Sequence, residues 1–413
     1  MTPSGRKRKR SKGIVRAKEG AVLKKALVLT GDFGEGHKQA AQALLEASRN
    51  VSSQIRLEIR DFIAWTRPYL HHVSRFVYMQ GVKHSPSLYG YMFEKTRQPG
   101  RLMEWLRRFR PVGLSRLADM INAERPDVVV STLPMASASV SLAKAEGLLD
   151  APLVTVITDH TDHSYWLHPC TDLYLVGSEQ ARQMLQRAGV PDERIAVTGI
   201  PVHPKFSFPF SKPELRKKYG LRTDVPVVIV MGGGYGLIGE DVVDLFFGER
   251  LEEKLQVLFV CGRNRRLYRK LLARLSEGAP SGHDIRVFGY VSDIHELMAL
   301  SDLLVTKSGG LTTSEAVTVE LPMILYKPIP GQETDNAQFL TSAGAATQAH
   351  NAAELERLVR ETARDPARLE AMRAAARRLQ TKHSALRAVE AIVGVAERSR
   401  PQPAWERAPS LPV

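Results

Sequence analysis

The stretch Val305-Thr306-Lys307-Ser308-Gly309-Gly310-Leu311-Thr312-Thr313-Ser314-Glu315-Ala316 runs from an apolar segment through a Gly-Gly pair into a helical pattern. Gly309 and Gly310 let the backbone approach a ligand closely, and the first unpaired amides of the helix face whatever lies above them. Such a helix end suits a diphosphate. Glu315, one turn further in, can accept from two neighbouring hydroxyls, as on a ribose. Taken alone the stretch also describes an ordinary strand–turn–helix connection. Its weight comes from its surroundings.

Upstream, short apolar runs recur at Ala26–Thr30, Arg56–Ile59, Asp127–Ser131, Leu153–Thr158 and Leu173–Val176, with helical stretches such as Gln39–Ala47 between several of them. A second series comprises Val225–Met231, Val257–Val260, Ile285–Phe288, Leu303–Thr306 and Met323–Tyr326. Strands alternating with helices predict parallel sheets covered on both faces, hence an α/β chain with two doubly wound domains. The expected organisation is a disordered basic tail at 1–20, a first domain at 21–201, a non-periodic linker at 202–221, a second domain at 222–380, and a terminal helix and tail at 381–413. Residues 352–393 are helical by composition.

The formal charge of +14 is uneven. Between Phe62 and Ala118 stand ten Lys/Arg against Glu94 and Glu104 alone, together with ten of the 28 aromatics, among them Trp65, Tyr69, Phe76, Tyr91, Phe93 and Trp105. Basic and aromatic side chains together suit an anionic bilayer surface, and they also suit RNA or single-stranded DNA. Charge alone does not separate the two. No apolar run approaches the roughly 18 residues of a membrane span, and the basic N-terminus is not followed by a signal-peptide core. Cys170 and Cys261 are too few for a disulfide framework or a cysteine metal site, which points to a reducing, intracellular setting.

Four further motifs follow predicted strands. Gly31-Asp32-Phe33-Gly34-Glu35-Gly36-His37-Lys38 imitates half a Walker A loop but continues into Gln39 rather than Ser/Thr. His37 falls near a helix start, where the positive helix end favours the neutral, proton-accepting imidazole. Gly232-Gly233-Gly234-Tyr235-Gly236 opens a Gly-x-Gly-x-x-Gly match, yet the next strand ends in Cys261-Gly262-Arg263 without the acidic residue a dinucleotide needs. Asp159-His160-Thr161-Asp162-His163, with His168, is dense enough to suggest a metal, but no pair has a recognised helical ligand spacing. A polar rim at the carboxyl end of a strand, with Tyr165 and Trp166 as a wall, is the favoured reading. Pro328-Ile329-Pro330-Gly331-Gln332-Glu333-Thr334-Asp335-Asn336 presents amides and carboxylates suited to sugar hydroxyls, and equally describes an acidic helix start.

Read in order, these elements resemble a known family. They are the Gly-rich loop with His37, Thr158-Asp159 through Trp166-Leu167-His168, Gly199-Ile200-Pro201-Val202-His203-Pro204, Gly232-Gly233-Gly234 and Gly289-Tyr290-Val291-Ser292-Asp293-Ile294. Lys307-Ser308-Gly309-Gly310-Leu311-Thr312 and Lys327-Pro328-Ile329-Pro330-Gly331-Gln332-Glu333 complete the series. From about Ala26 to Thr347 the chain is similar to monogalactosyldiacylglycerol synthases and processive diacylglycerol glucosyltransferases, in glycosyltransferase family 28. The resemblance implies a GT-B fold, two Rossmann-like domains facing a central cleft. It implies a UDP-sugar donor on the second half, diacylglycerol and an anionic membrane surface on the first, and inverting transfer of glucose or galactose to a β-glycoside. The enzyme would be peripheral, on the cytoplasmic side of the cell membrane, with no nucleic-acid partner, no cofactor and no built-in metal. His37 would be the general base. Gly36, Asp159, Trp166 and Gly233 would line the site, and Gly309, Gly310, Leu311 and Thr312 would face the diphosphate. Glu315 would meet the ribose, Phe288, Gly289 and Tyr290 the uracil, and Gln332, Glu333 and Asn336 the sugar or its phosphate. One position departs from the pattern: His203 stands where the family commonly carries Arg near the donor phosphates, and Lys205 or Arg263 would have to compensate. The alternatives are an N-acetylglucosamine transferase acting on another lipid, or a UDP-sugar-binding protein without turnover.

Overall fold

The structure, a computed structural model, describes residues 23–31, 35–50, 55–66, 86–97, 113–251, 254–278 and 282–398. The readings of 1–20 and 401–413 as tails, the Asp32-Phe33-Gly34 part of the first loop, and most of the basic aromatic stretch (67–85 and 98–112) lie outside the described residues.

Six strands form the first sheet: β1 (Lys24–Thr30), β2 (Ile55–Asp61), β3 (Val128–Ser131), β4 (Leu153–Val156), β5 (Leu173–Val176) and β6 (Ile195–Val197). They run in parallel in the order β2-β1-β3-β4-β5-β6, with Ala26 opposite both Leu57 and Val128. The second sheet contains β7 (Val227–Met231), β8 (Gln256–Val260), β9 (Asp284–Phe288), β10 (Leu303–Thr306), β11 (Met323–Tyr326) and β12 (Ala346–Ala349), in the order β12-β11-β10-β7-β8-β9. The central strands are fully buried Val/Ile/Leu runs because helices cover both faces. Each such side chain contributes about 1.5–3 kcal/mol of burial.

The helices that matter below are α1 (Glu35–Asn50), α2 (Phe62–Thr66), α3 (Pro86–Thr96), α4 (Leu114–Glu124), α5 (Pro134–Ala145), α6 (Glu179–Arg187), α7 (Lys212–Lys218), α8 (Glu240–Phe247), α9 (Arg265–Ser276), α10 (Ile294–Leu300), α11 (Gly310–Thr318) and α12 (Gln332–Ser342). After them the composition-helical stretch divides at Pro366 and at residues 380–383 into α13 (Ala352–Ala363), α14 (Pro366–Leu379) and α15 (Ser384–Arg398). Between Val202 and Leu221, the segment expected to be a plain linker, lie a 3-10 turn (Pro204–Ser207) and α7. Arg216 of α7 is buried and bonds Asp302 at 2.5 Å and the Leu300 carbonyl at 3.1 Å, so the segment is fastened to the second half. α15 returns to the first sheet, where Ala388, Val389 and Ile392 join the core formed by Ala26, Val28, Ala41 and Leu44. No helix of the described residues is long and apolar enough to cross a membrane.

In each sheet the strand order reverses once, between β1 and β3 and between β7 and β10. Ligands of open parallel sheets bind outside the carboxyl ends of the strands at such points. His37 follows β1, the Gly232–Gly234 turn follows β7 and the Gly309-Gly310 pair follows β10. Both reversal points therefore open into one space.

Candidate active site

A cleft of about 310 Å³ lies between the two halves. From the first half it is lined by Glu35, Gly36, His37, Thr158 and Asp159, from the connecting segment by His203 and Lys205, and from the second half by the Gly232–Gly234 turn, Tyr290, His295, Gly309–Thr312, Glu315, Gln332 and Glu333.

His37 is the third residue of α1. The Thr132 hydroxyl donates to its backbone carbonyl at 3.1 Å, and Nδ1 lies 3.2 Å from the Thr158 hydroxyl, which fixes the ring against the ends of β3 and β4. Trp166, 1% exposed, meets the imidazole edge-on with ring centroids 6.1 Å apart. Burial pushes the His37 pKa down to about 4, against an opposing pull from the Thr132 backbone. At pH 7 the ring is neutral, so one of its nitrogens is unprotonated and can take a proton.

On the opposite wall, the first bond within α11 runs from the Thr313 amide to the Gly309 carbonyl at 3.1 Å. The amides of Gly310, Leu311 and Thr312 thus have no partner inside the helix, and they concentrate the positive end of its dipole on the cleft. A Cβ on Gly310 would lie 2.0 Å from the Thr158 carbonyl oxygen. The side chain missing there lets α11 meet the end of β4 in the other half. For Gly309 the corresponding contact is only to Glu333, at 3.9 Å.

Three carboxyls around the cleft are pushed up by burial: Glu315 to about 8, Glu333 to about 7 and Asp159 to about 6. The Ile329 amide, donating to Glu333 at 2.7 Å, and the Asn336 side-chain amide, donating to Asp159 at 2.9 Å, pull the last two the other way. At pH 7 Glu315 is then mostly protonated, Glu333 about half so and Asp159 mostly ionised, so the carboxyls repel a diphosphate less than three full negative charges would. Lys205 on the cleft wall stands 3.2 Å from Asp293, and Arg263, beside the wall, bridges the halves to Glu35 at 3.3 Å and lies over the Tyr290 ring. His203 accepts from the Lys205 amide at 3.2 Å, and burial lowers its pKa.

Of the residues singled out in the sequence, His37, Gly36, Asp159, His203, Gly233, Tyr290, Gly309, Gly310, Leu311, Thr312, Glu315, Gln332 and Glu333 come together on the cleft wall. Trp166, Phe288, Gly289 and Asn336 do not line it. Trp166 stands behind His37, and the Phe288 carbonyl accepts from the Cys261 amide at 2.9 Å. Asn336 is fully buried at the junction of the halves, accepting from the His160 amide at 2.7 Å and donating to Asp159 and to the Ser308 carbonyl. Its polar groups are engaged by protein. The Asp/His-rich segment disperses: Asp162 pairs with Arg97, His163 bonds the Phe93 carbonyl, and His160 stacks on Phe339. Among the described residues no group of three or more His, Cys, Asp or Glu is arranged to hold a metal. Thr158 and Glu35 are wall residues the motif reading passed over. The carboxyl-edge rule points to Thr158, whereas nothing local in the sequence signals His295.

Residues 37–202 match the monogalactosyldiacylglycerol (MGDG) synthase family, and residues 227–390 match the glycosyltransferase family 28 C-terminal domain. The processive diacylglycerol beta-glucosyltransferase of Bacillus pumilus (strain SAFR-032) is 30% identical over 373 residues, covering 90% of this chain and 94% of that one. The protein of the same name from Bacillus cereus (strain G9842) is 30% identical over 372 residues, covering 89% and 93%. Among solved structures, Acinetobacter baumannii MurG aligns with a TM-score of 0.58 at 16% identity, over 89% of this chain and 99% of its own. S. aureus MnaA, in a co-structure with UDP, aligns with a TM-score of 0.57 at 16% identity, over 89% and 95%. At such identities these structures speak to the fold alone, which is GT-B.

Proposed function

The chain belongs to the family of processive diacylglycerol β-glucosyltransferases, and we propose that it transfers a hexose from a UDP-sugar to diacylglycerol, with inversion, to form a β-glycosyl glycolipid. The observation that carries this reading is the meeting, in one cleft, of a neutral His37 from the first half with the free amides of α11 from the second.

In this mechanism the primary hydroxyl of diacylglycerol gives its proton to His37 as its oxygen bonds to the anomeric carbon. The bond from that carbon to the UDP oxygen breaks on the opposite face, which inverts the configuration. The charge that collects on the departing diphosphate is received by the amides of Gly310, Leu311 and Thr312, already oriented before the reaction begins. Glu315 takes the ribose hydroxyls, Gln332 and Glu333 the hexose, and the backbone around Tyr290 the uracil. Lys205 and Arg263 supply the cationic charge that His203, neutral at pH 7, does not. The basic aromatic stretch 62–118 rests on anionic lipid, so the enzyme works peripherally at the cytoplasmic face of the membrane.

The deciding experiment measures UDP release and lipid products from UDP-glucose and UDP-galactose, each with and without diacylglycerol in vesicles containing anionic lipid. A glycolipid formed only with diacylglycerol supports transfer and names the hexose. Donor binding with no lipid product refutes it and favours a UDP-sugar-binding protein.

A further inference from the structure

Helix α3 belongs by sequence to the first half, yet one of its faces rests on the turn of the second half that leads into Gln332 and Glu333. Gly90, Phe93 and Arg97, spaced three and four residues apart, form that face. A Cβ on Gly90 would lie 2.5 Å from Pro330 Cβ, and one on Gly331, whose φ is +107°, would lie 3.0 Å from the Phe93 ring. Two glycines are thus placed where helix and turn pack with no room for a side chain. Just past the helix, Arg97 spreads its guanidinium over three carboxylates: Glu94 at 2.9 Å, Asp162 at 2.7 Å and, across the junction, Asp335 at 2.7 Å. The other oxygen of Asp335 accepts from the Thr161 hydroxyl at 2.7 Å, so both its oxygens are held by the first half.

We propose that Arg97 is a positioning residue for the transfer reaction: by clamping Asp335 it seats α3 on the donor turn and fixes Gln332 and Glu333 relative to His37. The planar guanidinium is suited to this task because it can span several carboxylates in fixed directions, which a lysine ammonium cannot. Asp335 lies two residues beyond Glu333 in the first turn of α12, so slack at Asp335 is felt at the cleft wall. The half-buried setting, with the Arg97 and Asp335 side chains 24% and 14% exposed, shields the pair from the screening that weakens surface ion pairs.

The inference rests on the transfer reading, and its test keeps the two apart. Arg97→Gln, Arg97→Lys, Asp335→Asn and the double variant are compared in three measurements: glycolipid turnover, UDP binding, and amide hydrogen exchange of residues 329–336 with UDP bound. Arg182→Gln, which breaks an exposed ion pair with Asp192 in the first half, serves as the control. Arg97→Gln and Asp335→Asn are each expected to lower turnover about tenfold or more, as misplacement of reacting groups does, while UDP affinity changes less than about threefold. The double variant should be no worse than either single change. Arg97→Lys should fall between Gln and wild type, and Arg182→Gln should stay within about twofold of wild type. Exchange at 329–336 should accelerate in Arg97→Gln, Asp335→Asn and the double variant but not in the control, because those amides lose their tether. Unchanged exchange overturns the clamp. Faster exchange with unchanged turnover overturns its role in the reaction, as do additive losses in the double variant. A wild-type protein that makes no glycolipid overturns the transfer reading instead, and the exchange comparison still reads the clamp.

Discussion

Glu315 offers a test in which sign and size both follow from the cleft. Burial raises its pKa to about 8, so at pH 7 the empty cleft holds it about nine-tenths protonated. Two ribose hydroxyls donating to it favour the ionised form and draw its pKa down. Donor binding at pH 7 should then release close to one proton, about 0.9 if the bound pKa falls well below 7. The sign follows directly: because binding prefers the deprotonated carboxylate, affinity rises with pH by up to about tenfold per unit between the bound and free pKa values, and levels off above about 8. UDP-glucose is the ligand to use, since its diphosphate has no group titrating in that range. In Glu315→Gln the release should fall sharply, with the remainder from Glu333 and Asp159 appearing at lower pH. Hydrogen bonds to a charged group contribute about 1.5–3 kcal/mol. The variant should therefore bind roughly ten- to a hundredfold more weakly at pH 9, with a smaller deficit at pH 6. Calorimetry in two buffers of different ionisation enthalpy counts the protons. A wild-type affinity flat from pH 6 to 9, or a Gln variant whose deficit does not grow with pH, would refute the ribose contact.

Other outcomes follow from the same geometry. His37→Ala should lower turnover by roughly 10²–10⁴ while UDP binding persists; and because the base is neutral above its pKa of about 4, the wild-type acid limb assigned to it should lie near pH 4, not near 6.5. Both are read from pH–rate profiles, and an unchanged turnover in the alanine variant removes His37 from the chemistry. Gly310→Ala places a methyl 2.0 Å from the Thr158 carbonyl, so the halves must part and turnover should fall at least about tenfold with far-ultraviolet circular dichroism preserved. Asn336→Ala strands the His160 amide, Asp159 and the Ser308 carbonyl, costing about 1–3 kcal/mol, measurable as a lower urea midpoint. His203→Arg adds a permanent cation to the cleft, and UDP-sugar affinity should improve severalfold, more at low salt than at high.

The strands most legible in the sequence are those with the simplest environment. Leu173–Val176, Leu303–Thr306 and Met323–Tyr326 are buried on both faces, bounded by breakers, and observed over the predicted residues. β6 and β12 escaped the reading because they are sheet edges: Ile195–Val197 is three residues long, and Thr347 and Gln348 interrupt any apolar run in β12. α1 begins at Glu35, four residues before the expected Gln39, because Gly36, His37 and Lys38 carry no apolar period although they are helical. At the site, motifs at the carboxyl ends of strands were readable because topology alone delivers them to one cleft. The neighbours of those motifs were not. Gly310 looks like a glycine that admits a ligand, and it also admits the Thr158 carbonyl of the other half. Asn336 looks like a sugar-reading amide, and its polar groups are engaged at the junction.

These double uses have a common geometric origin. Residues of one helical turn point in directions about 100° apart per residue, so positions three apart point within about 60° of each other. In the first turn of α12, Gln332 and Glu333 look into the cleft while Asp335 and Asn336, three positions on, look into the adjoining junction. At the start of α11, Gly310 meets Thr158 while the neighbouring Leu311 and Thr312 line the cleft. The helix ends suited to holding the donor are therefore the same ones that hold the two halves together. Within this arrangement, the seating of the donor wall and the packing of the junction cannot be tuned independently, even where UDP affinity itself changes little. A change at the junction must move the donor wall relative to His37, and a bound donor must bear on the contacts at Thr158, Asp159 and Thr161.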